Sequence, residues 1–407
     1  MLLSALPSCS GSDDGDGGIV PPIAEEYTLS LFLSAGDNAP AARITPQGDY
    51  NGGLGFENFI DIAAFDFRVY LFGGNNRLIY AVPTMGCILT PIESGGQGSK
   101  TYRLTIPMSR ELVDRLRLDP QQCSFKLLML ANWRDYPSDL AEGLTTISSM
   151  MESAAARRTF EVQAGAVLTA DERIPLFGVN YYQNVALVKN EQTILNTLHL
   201  LRSYSKIEVF DAPESTTAIH SVTLTRHNGT SYNAPILVNW LQGEYMKNNY
   251  KDDYGRTFRD PADEISDGVA LRKDVASGHF FIYVAEFRNL TEGSTSQPRP
   301  ENERTRLRVT YIDEESGENH NYYVDFKYYD EVNANRNGAK KGDFFNLRRN
   351  YWYRYSVNRG KVDAMMQVDV VPYVEVNLNP SFGFDDPILN PPTQGTPPPW
   401  VNLTPWD

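Results

Sequence analysis

The sequence predicts an all-β protein built from sandwiches, and three observations support that class. Apolar and polar residues alternate with a period of two along several short stretches, as in strands that bury one face. Gly, Asn and Pro residues separate these stretches and predict tight turns. The 407 residues include 23 Tyr and 19 Phe, and aromatic side chains are enriched in sheets.

The first strand is predicted at residues 27–34, because apolar side chains occupy every second position there. The polar residues of this stretch share the opposite face, so the strand is expected to be half buried. The four residues predicted to face the core are Tyr27, Leu29, Leu31 and Leu33.

Further strands are predicted along the rest of the chain. An apolar run at 60–72 ends at a Gly/Asn turn. Alternation on both sides of a Gly-containing turn predicts a hairpin over 306–328. The same period-two pattern predicts two later strands at 351–357 and 366–370.

Two short helices are predicted as well. Ser109 is a suitable N-cap residue, and three apolar residues follow it at helical spacing before Pro120 ends the pattern. Residues 144–151 predict the second helix.

The overall charge and hydropathy narrow the classes of function. Lys and Arg number 37 and Asp and Glu number 51, which gives a formal net charge of −14. An acidic chain of this kind argues against a nucleic-acid partner, which needs a basic face. Hydrophobic residues make up 41% of the chain, enough for folded cores, and no run of 18 to 20 apolar residues predicts a membrane-spanning helix.

The first residues are typical of an export signal. Apolar and small residues at 1–8 precede Cys9, as at the end of a bacterial lipoprotein signal, in which the cysteine thiol receives a lipid. Each buried CH₂ of an acyl chain contributes about 0.8 kcal/mol to membrane binding. Residues 10–18, rich in Ser, Gly and Asp, predict a flexible acidic tether. Cys9 is therefore the candidate lipidation site.

Two further cysteines leave two alternatives open. Cys87 and Cys123 lie in the first half of the chain. In an exported protein they can form a disulfide, which closes a loop and contributes about 3–4 kcal/mol. The alternative is that both are buried as small apolar residues.

Composition and strand pattern divide the chain into four parts. The tail contains seven prolines, which remove the backbone donors that an interior strand needs. The predicted parts are a lipoprotein leader and acidic tether at 1–22, an N-terminal β-sandwich domain at 23–190, a C-terminal β-sandwich domain at 191–384, and a Pro/Trp-rich extended tail at 385–407.

Patterns that carry catalytic or metal chemistry are not found. The residue before Lys100 is Ser99, where a phosphate-binding loop needs Gly. The five His residues have no partners at metal-ligand spacing. The acidic residues between 252 and 267 lack the spaced pattern of a calcium loop, which favours solvated loop charges. We therefore predict no catalytic residue, no metal and no cofactor, and a protein that is not an enzyme.

Five segments, in order along the chain, resemble motifs of the fimbrillin family, the subunits of type V pili in Bacteroides-like bacteria. Residues 61–72 look like the family's early core strand, and 174–178 resemble its I-P-M-x-G element. Residues 200–209 resemble L-x-R-x-x-A-K-I-E-V, and 346–353 resemble L-x-R-N-H-x-Y with Tyr in place of the usual His. Residues 371–384 look like the closing V-x-P-Y-x-x-V-x-L-x-P-x-F-G run.

This resemblance implies two transthyretin-like Greek-key sandwiches in an outer-membrane lipoprotein that assembles on the cell surface and serves adhesion and biofilm formation. In stalk members of the family, an arginine-specific protease removes the N-terminal segment with its first strand. A strand of the next subunit then fills the emptied groove, which is β-strand addition. The implied partners are other fimbrial subunits, that protease, the outer membrane before processing, and a host or bacterial surface receptor.

The implied processing site and donor strand have counterparts in this sequence. Arg43 is the first Lys or Arg of the chain and follows the predicted first strand within a stretch of small residues and Pro. It is the candidate cleavage site, and the alternative is an ordinary loop arginine. The candidate donor lies in the tail, where the alternative is a disordered segment. Its predicted anchors are Trp400, Val401, Leu403 and Trp406.

Three other functions stay open. A pilus anchor would keep its lipid and first strand, and a tip adhesin would carry a binding surface or lack a donor tail. A non-fimbrial lipoprotein would bind carbohydrate through exposed aromatic residues. Its candidates are the pairs at 322–323 and 328–329, of which alternation puts one member each inside the sheet.

Overall fold

A computed structural model gives the structure of the chain. It describes residues 27–34, 60–93, 100–117, 122–161, 174–234, 265–359 and 364–372, with gaps at 134, 157–158, 214, 216, 229, 292, 313–315, 337–338, 348 and 350. Strands dominate these residues and helices are few and short, so the predicted all-β class is confirmed.

Eleven strands lie in the described part of the first half of the chain. They are β1 Tyr27–Ser34, β2 Phe67–Gly73, β3 Leu78–Val82, β4 Ile88–Glu93, β5 Lys100–Met108, β6 Cys123–Ala131, β7 Thr159–Glu161, β8 Leu176–Val185, β9 Gln192–Ile194, β10 Leu198–His199 and β11 Leu201–Arg202. One sheet has the order β10-β1-β5-β4, with β9 also paired to β1. A second sheet has the order β11-β8-β6-β2-β3.

The two sheets face each other across one apolar core, which we call the first core. From one sheet it receives Leu31 and Leu104, and from the other Leu71 and Leu127, all fully buried. The second sheet buries its other face too, against a cluster that includes Trp133. Every residue of β6 is therefore buried. Because neither face of this strand is open to solvent, its sequence has no sustained alternation of apolar and polar residues.

Ten strands lie in the second half of the chain, among the residues that the structure describes. They are β12 Ser205–Asp211, β13 Ser221–Asn228, β14 Thr230–Tyr232, β15 Ile265–Ala270, β16 Arg272–Lys273, β17 Phe280–Val284, β18 Arg306–Ile312, β19 Asn319–Asp325, β20 Tyr351–Arg359 and β21 Ala364–Pro372. The sheets have the orders β16-β17-β12-β20-β21 and β15-β13-β18-β19. Tyr353 and Tyr355 of β20 pack edge-on against Phe326, at centroid distances of 6.1 and 5.6 Å, inside the second core.

Three α-helices and two 3₁₀ turns complete the described residues. They are α1 Arg110–Leu116, α2 Ile147–Met151 and α3 Glu331–Arg336, with 3₁₀ turns at Thr84–Gly86 and Glu301–Glu303. The predicted cap of α1 is confirmed, because Leu112 N donates to Ser109 Oγ at 3.2 Å. None of the helices in the described part of the chain is long and apolar enough to cross a membrane.

The predicted boundary at 190/191 precedes three strands that pair with the first half. Strands β9 and β10 lie parallel to β1, and β11 is antiparallel to β8. Between β11 and β12, Ser203 N donates to Pro175 O at 3.0 Å. The bounds of the four predicted parts stay predictions.

The two halves are joined by a short sheet and by buried hydrogen bonds. Strand β7 of the first half pairs with β14 of the second. Ser203 Oγ donates to Pro175 O at 3.0 Å and to Asn233 O at 2.9 Å. The Arg349 guanidinium also donates to Asn233 O, at 3.3 Å, and pairs with Glu286 at 2.9 Å. We call this group the joint; Ser203 links the two halves, and Arg349, whose side chain is 1% exposed, holds Asn233 on the second-half side of that link.

We expect Arg349→Met to destabilise the protein by about 3–5 kcal/mol, because Glu286 would keep a buried charge without its cationic partner. The measurement is the free energy of urea unfolding. The matched control is Arg308→Met on the exposed surface of β18, which should change stability by less than about 0.5 kcal/mol. Equal stability of the two variants would contradict the assignment of the joint.

Candidate functional site

The first strand is an interior strand of its sheet. It pairs with β5 in antiparallel register over its whole length, from Tyr27 opposite Met108 to Ser34 opposite Thr101. On its other side it runs parallel to β9 and then to β10. Removing β1 would therefore open a gap between two sets of strands instead of trimming an edge.

The predicted inward face of β1 is confirmed. Tyr27 is 7% exposed, and Leu29, Leu31 and Leu33 are fully buried in the first core. Their neighbours on β5 are also apolar; Leu31 lies opposite Leu104. Burying one leucine side chain contributes about 1.5–3 kcal/mol, so the three leucines bind β1 firmly to the rest of the sandwich.

The backbone groups of β1 point alternately to its two sides. Leu195 N donates to Ser30 O at 2.8 Å, so the backbone groups of Ser30 face β9. Its neighbours Leu29 and Leu31 therefore direct their N–H and C=O groups to β5. The residues with inward side chains are thus those whose N–H groups face β5.

We call the space that residues 27–34 occupy, between β5 and the β9/β10 side, the β1 slot. Its inward lining is neutral. Tyr102 of β5 accepts a hydrogen bond from Ile60 N at 2.9 Å, and burial raises the pKa of its phenol to about 12. On the outer face, Arg103 lies opposite Phe32. The slot accepts apolar side chains inside and offers a cation outside.

The remaining predicted processing and donor residues lie outside the described residues. These are Cys9, Arg43, Trp400, Val401, Leu403 and Trp406. Lipidation, cleavage and donation by the tail accordingly stay predictions, while the strand that cleavage would release is described in full.

The predicted disulfide is not formed in the structure. Cys87 Sγ lies 3.7 Å from Pro83 O, and Cys123 Sγ lies 3.9 Å from Val113 O. Both cysteines are buried in the first core, and burial raises the pKa of the Cys87 thiol to about 12. The alternative prediction, two buried small apolar residues, fits their positions.

A buried band of charged side chains in the second half was not predicted. Glu208 accepts from Arg354 Nε at 2.8 Å and lies 2.6 Å from His279 Nδ1. Burial alone raises the pKa of Glu208, but the His279 hydrogen bond and the charges of Arg354 and Lys206 outweigh it, so the pKa lies below its ordinary value. The Lys206 ammonium lies 5.0 Å from the centre of the Trp352 ring. Charged residues at alternate strand positions predict a solvated face, and sequence reasoning therefore misses this buried band.

The aromatic pairs proposed for carbohydrate differ in exposure. Tyr323 is 53% exposed, whereas Tyr328 is 8% exposed. Tyr322 packs edge-on against Tyr311, and Tyr329 donates to Asp325 O at 3.2 Å. Tyr323 is thus the most exposed of the four, with the Arg306 guanidinium 4.6 Å from the centre of its ring. In the described part of the chain, no group of three or more His, Cys, Asp or Glu residues is placed to hold a metal ion.

Comparison with known proteins gives similar structures but no similar sequences. No family model matches the chain, and no curated protein matches it. The tip fimbrial protein Mfa3 from Porphyromonas gingivalis, solved with a C-terminal truncation, matches 85% of this chain and 99% of its own, at 11% identity and a TM-score of 0.46. The fimbrial anchor protein Mfa2 from the same organism matches 85% of this chain and 98% of its own, at 9% identity and a TM-score of 0.29.

A candidate cell adhesion protein from Bacteroides uniformis is also similar. It matches 85% of this chain and 98% of its own, at 9% identity and a TM-score of 0.37. Fimbrial proteins are thus among the solved structures that this chain resembles, as the sequence motifs predict. Identities near 10% and TM-scores below 0.5 do not assign a function, and the fold described above rests on the chain's own strand pairing.

We expect Leu31→Ala to lower the free energy of unfolding by about 2–5 kcal/mol, because it leaves a cavity at the centre of the first core. Thr28→Ala on the outer face of the same strand is the matched control and should cost less than about 1 kcal/mol. Urea unfolding measures both. A small cost at Leu31 would mean that β1 is not packed as described.

Proposed function

We propose that this chain is a structural subunit of a cell-surface pilus, in which β1 leaves and a strand of another subunit takes its place. The observation that carries the proposal is the position of β1. It is an interior strand, yet it is the first strand of the described chain and precedes the candidate cleavage residue Arg43.

An emptied β1 slot would bind another β-strand strongly. It would expose the unpaired backbone groups of β5 on one side and those of β9 and β10 on the other. It would also expose the core positions that contact Leu29, Leu31 and Leu33. Strand addition satisfies both deficits together, because the backbone supplies hydrogen bonds and alternate side chains fill the core.

The need for cleavage would keep strand exchange from starting before the chain is cut. In the uncut chain β1 is tethered to its own slot, and this intramolecular connection gives it a high effective concentration. Arg43 lies nine positions beyond Ser34, the last residue of β1. A cut there would leave residues 1–43 bound by noncovalent contacts alone, so that a competing strand can displace them.

The same cut would separate the subunit from its lipid. Cys9 lies before β1 in the chain, so lipidation would hold the uncut precursor at the outer membrane and cleavage would release the body for assembly. In this proposal the partners are other pilus subunits, an arginine-specific protease and an adhesion receptor on a host or bacterial surface. The role is structural, in adhesion and biofilm formation, and not enzymatic.

The test is digestion of the purified full chain with an arginine-specific protease, followed by N-terminal sequencing and an unboiled gel. We expect one early cut after Arg43 and a ladder of SDS-resistant multimers. The matched control is Arg43→Lys, which keeps the charge but removes the recognised residue, and it should stay monomeric. A cut that yields monomers alone would contradict the stalk role and favour an anchor or tip. No cut at Arg43 would remove the processing step.

A second candidate function is carbohydrate binding, and the exposure of Tyr323 favours it. This side chain lies on β19, at the edge of its sheet, directly opposite the exposed Arg308 of β18. The neighbouring pair, Thr310 and Asn321, is joined by a hydrogen bond of 2.8 Å. An exposed ring beside hydroxyl, amide and guanidinium groups suits the apolar face and hydroxyl groups of a sugar.

For this second function we expect Tyr323→Ala to lose retention on a polysaccharide column that binds the unchanged protein. The control is Phe65→Ala, which removes an exposed aromatic residue distant from Tyr323 in the sequence. This variant should still be retained. Absence of saturable retention of the unchanged protein across a broad polysaccharide panel would exclude the function.

A further inference from the structure

We propose that the strand which fills the β1 slot is Tyr373–Asn379 of a second copy of this chain, and not the Trp-containing segment 400–406. This inference rests on the proposed function and names the partner of that site. It follows from what the slot requires of any strand and from how the two segments meet those requirements.

The slot imposes two conditions on alternate positions. The places of Leu29, Leu31 and Leu33 are fully buried, so they need apolar side chains. The backbone N–H groups at the same places face β5, as the Leu195–Ser30 hydrogen bond on the opposite side requires. Proline has no N–H, so it does not fit at an inward place within the strand.

The Trp-containing segment fails in both of its registers. If Val401 and Leu403 point inward, either Pro399 or Pro405 occupies the place of one of the three leucines, because all four positions have odd numbers. At least one hydrogen bond to β5 and one buried leucine would then be lost.

The other register of that segment turns Trp400 and Trp406 inward. The inward places between them then receive Asn402 and Thr404. These polar side chains would replace leucines that are fully buried in the first core. Neither register of the segment therefore restores the core.

Residues 373–379 meet both conditions. Val374, Val376 and Leu378 alternate with polar or aromatic residues, and no proline interrupts the seven positions. In the matching register these three residues take the places of Leu29, Leu31 and Leu33. Tyr373 takes the place of Thr28, and Pro372 stays in β21 of its own subunit, opposite Tyr351.

The outer face of the slot adds charge complementarity. In this register Glu375 takes the place of Ser30, which is opposite Thr105 of β5. Arg103, opposite Phe32, is the diagonal neighbour of that place on the same face. Diagonal neighbours in antiparallel strands lie within reach of long side chains, so the carboxylate of Glu375 meets the cation of the slot.

The position of the segment in the chain suits a transfer between subunits. Pro372 is the last residue of β21 and lies opposite Tyr351, the first residue of β20. A strand that begins at Tyr373 can therefore enter a neighbouring slot without a long connecting segment.

The test uses the full chain, the arginine-specific protease and three synthetic peptides with the sequences of residues 27–34, 372–380 and 399–407. Each peptide is added in excess during cleavage, and capture of fluorescent peptide by the cut protein is measured with the length of the multimer ladder. We expect the 27–34 and 372–380 peptides to be captured and to shorten the ladder. We expect at least tenfold weaker capture of the 399–407 peptide.

Two variants of the full chain test the same point without added peptide. Val376→Asp should abolish the ladder while leaving cleavage at Arg43 unchanged, because it removes one inward apolar residue from the donor. Val401→Asp is the matched control and should leave the ladder intact.

The outcomes separate this inference from the proposed function. If the cut protein captures no peptide, including 27–34, the slot does not open and the proposed function is wrong. If it captures 27–34 and 399–407 but not 372–380, the slot opens and this inference is wrong. Loss of the ladder in Val401→Asp but not in Val376→Asp would also overturn it.

Discussion

The two-sided pairing of β1 is the constraint on which the first sandwich depends. Because β5 binds one side and β9 and β10 bind the other, the sheet is continuous only while a strand occupies the slot. The inward leucines make the same strand part of the core. Backbone pairing and side-chain packing thus depend on one segment of eight residues. Loss of this segment would therefore interrupt the sheet and empty part of the core at the same time.

The second sandwich buries ion pairs as well as apolar groups. Its β12 and β20 strands are adjacent and parallel, and they bring Glu208 and Arg354 into register. The joint places another buried ion pair, between Arg349 and Glu286, where the two halves meet. Pairs of this kind are costly to break from one side. They therefore fix how the strands and the halves are arranged more than they add net stability.

Sequence alone identified the elements whose residues alternate in character with a clear period. The first strand, the hairpin of β18 and β19, and β20 all carry period-two alternation, and Ser109 marked the start of α1. The sequence pattern did not predict β6, which is buried on both faces. It also did not predict β9 to β11, because strands of two or three residues have no measurable period. The inward residues of β1 could be predicted because they share a face. The strands that flank them could not, since pairing between residues 27–34 and 192–199 is a property of three-dimensional topology.

The antiparallel register of β1 and β5 has a mechanical consequence. Hydrogen bonds between antiparallel strands lie perpendicular to the strand direction. A pull along the strand axis would load the bonds along all eight paired positions at once, in shear, whereas a pull from one end across the sheet would break them one after another. A filament whose subunits are held by strands in this slot would meet traction in the first of these geometries. The joint, in which Ser203 contacts Pro175 and Asn233, would then carry part of the same load from one half of the chain to the other.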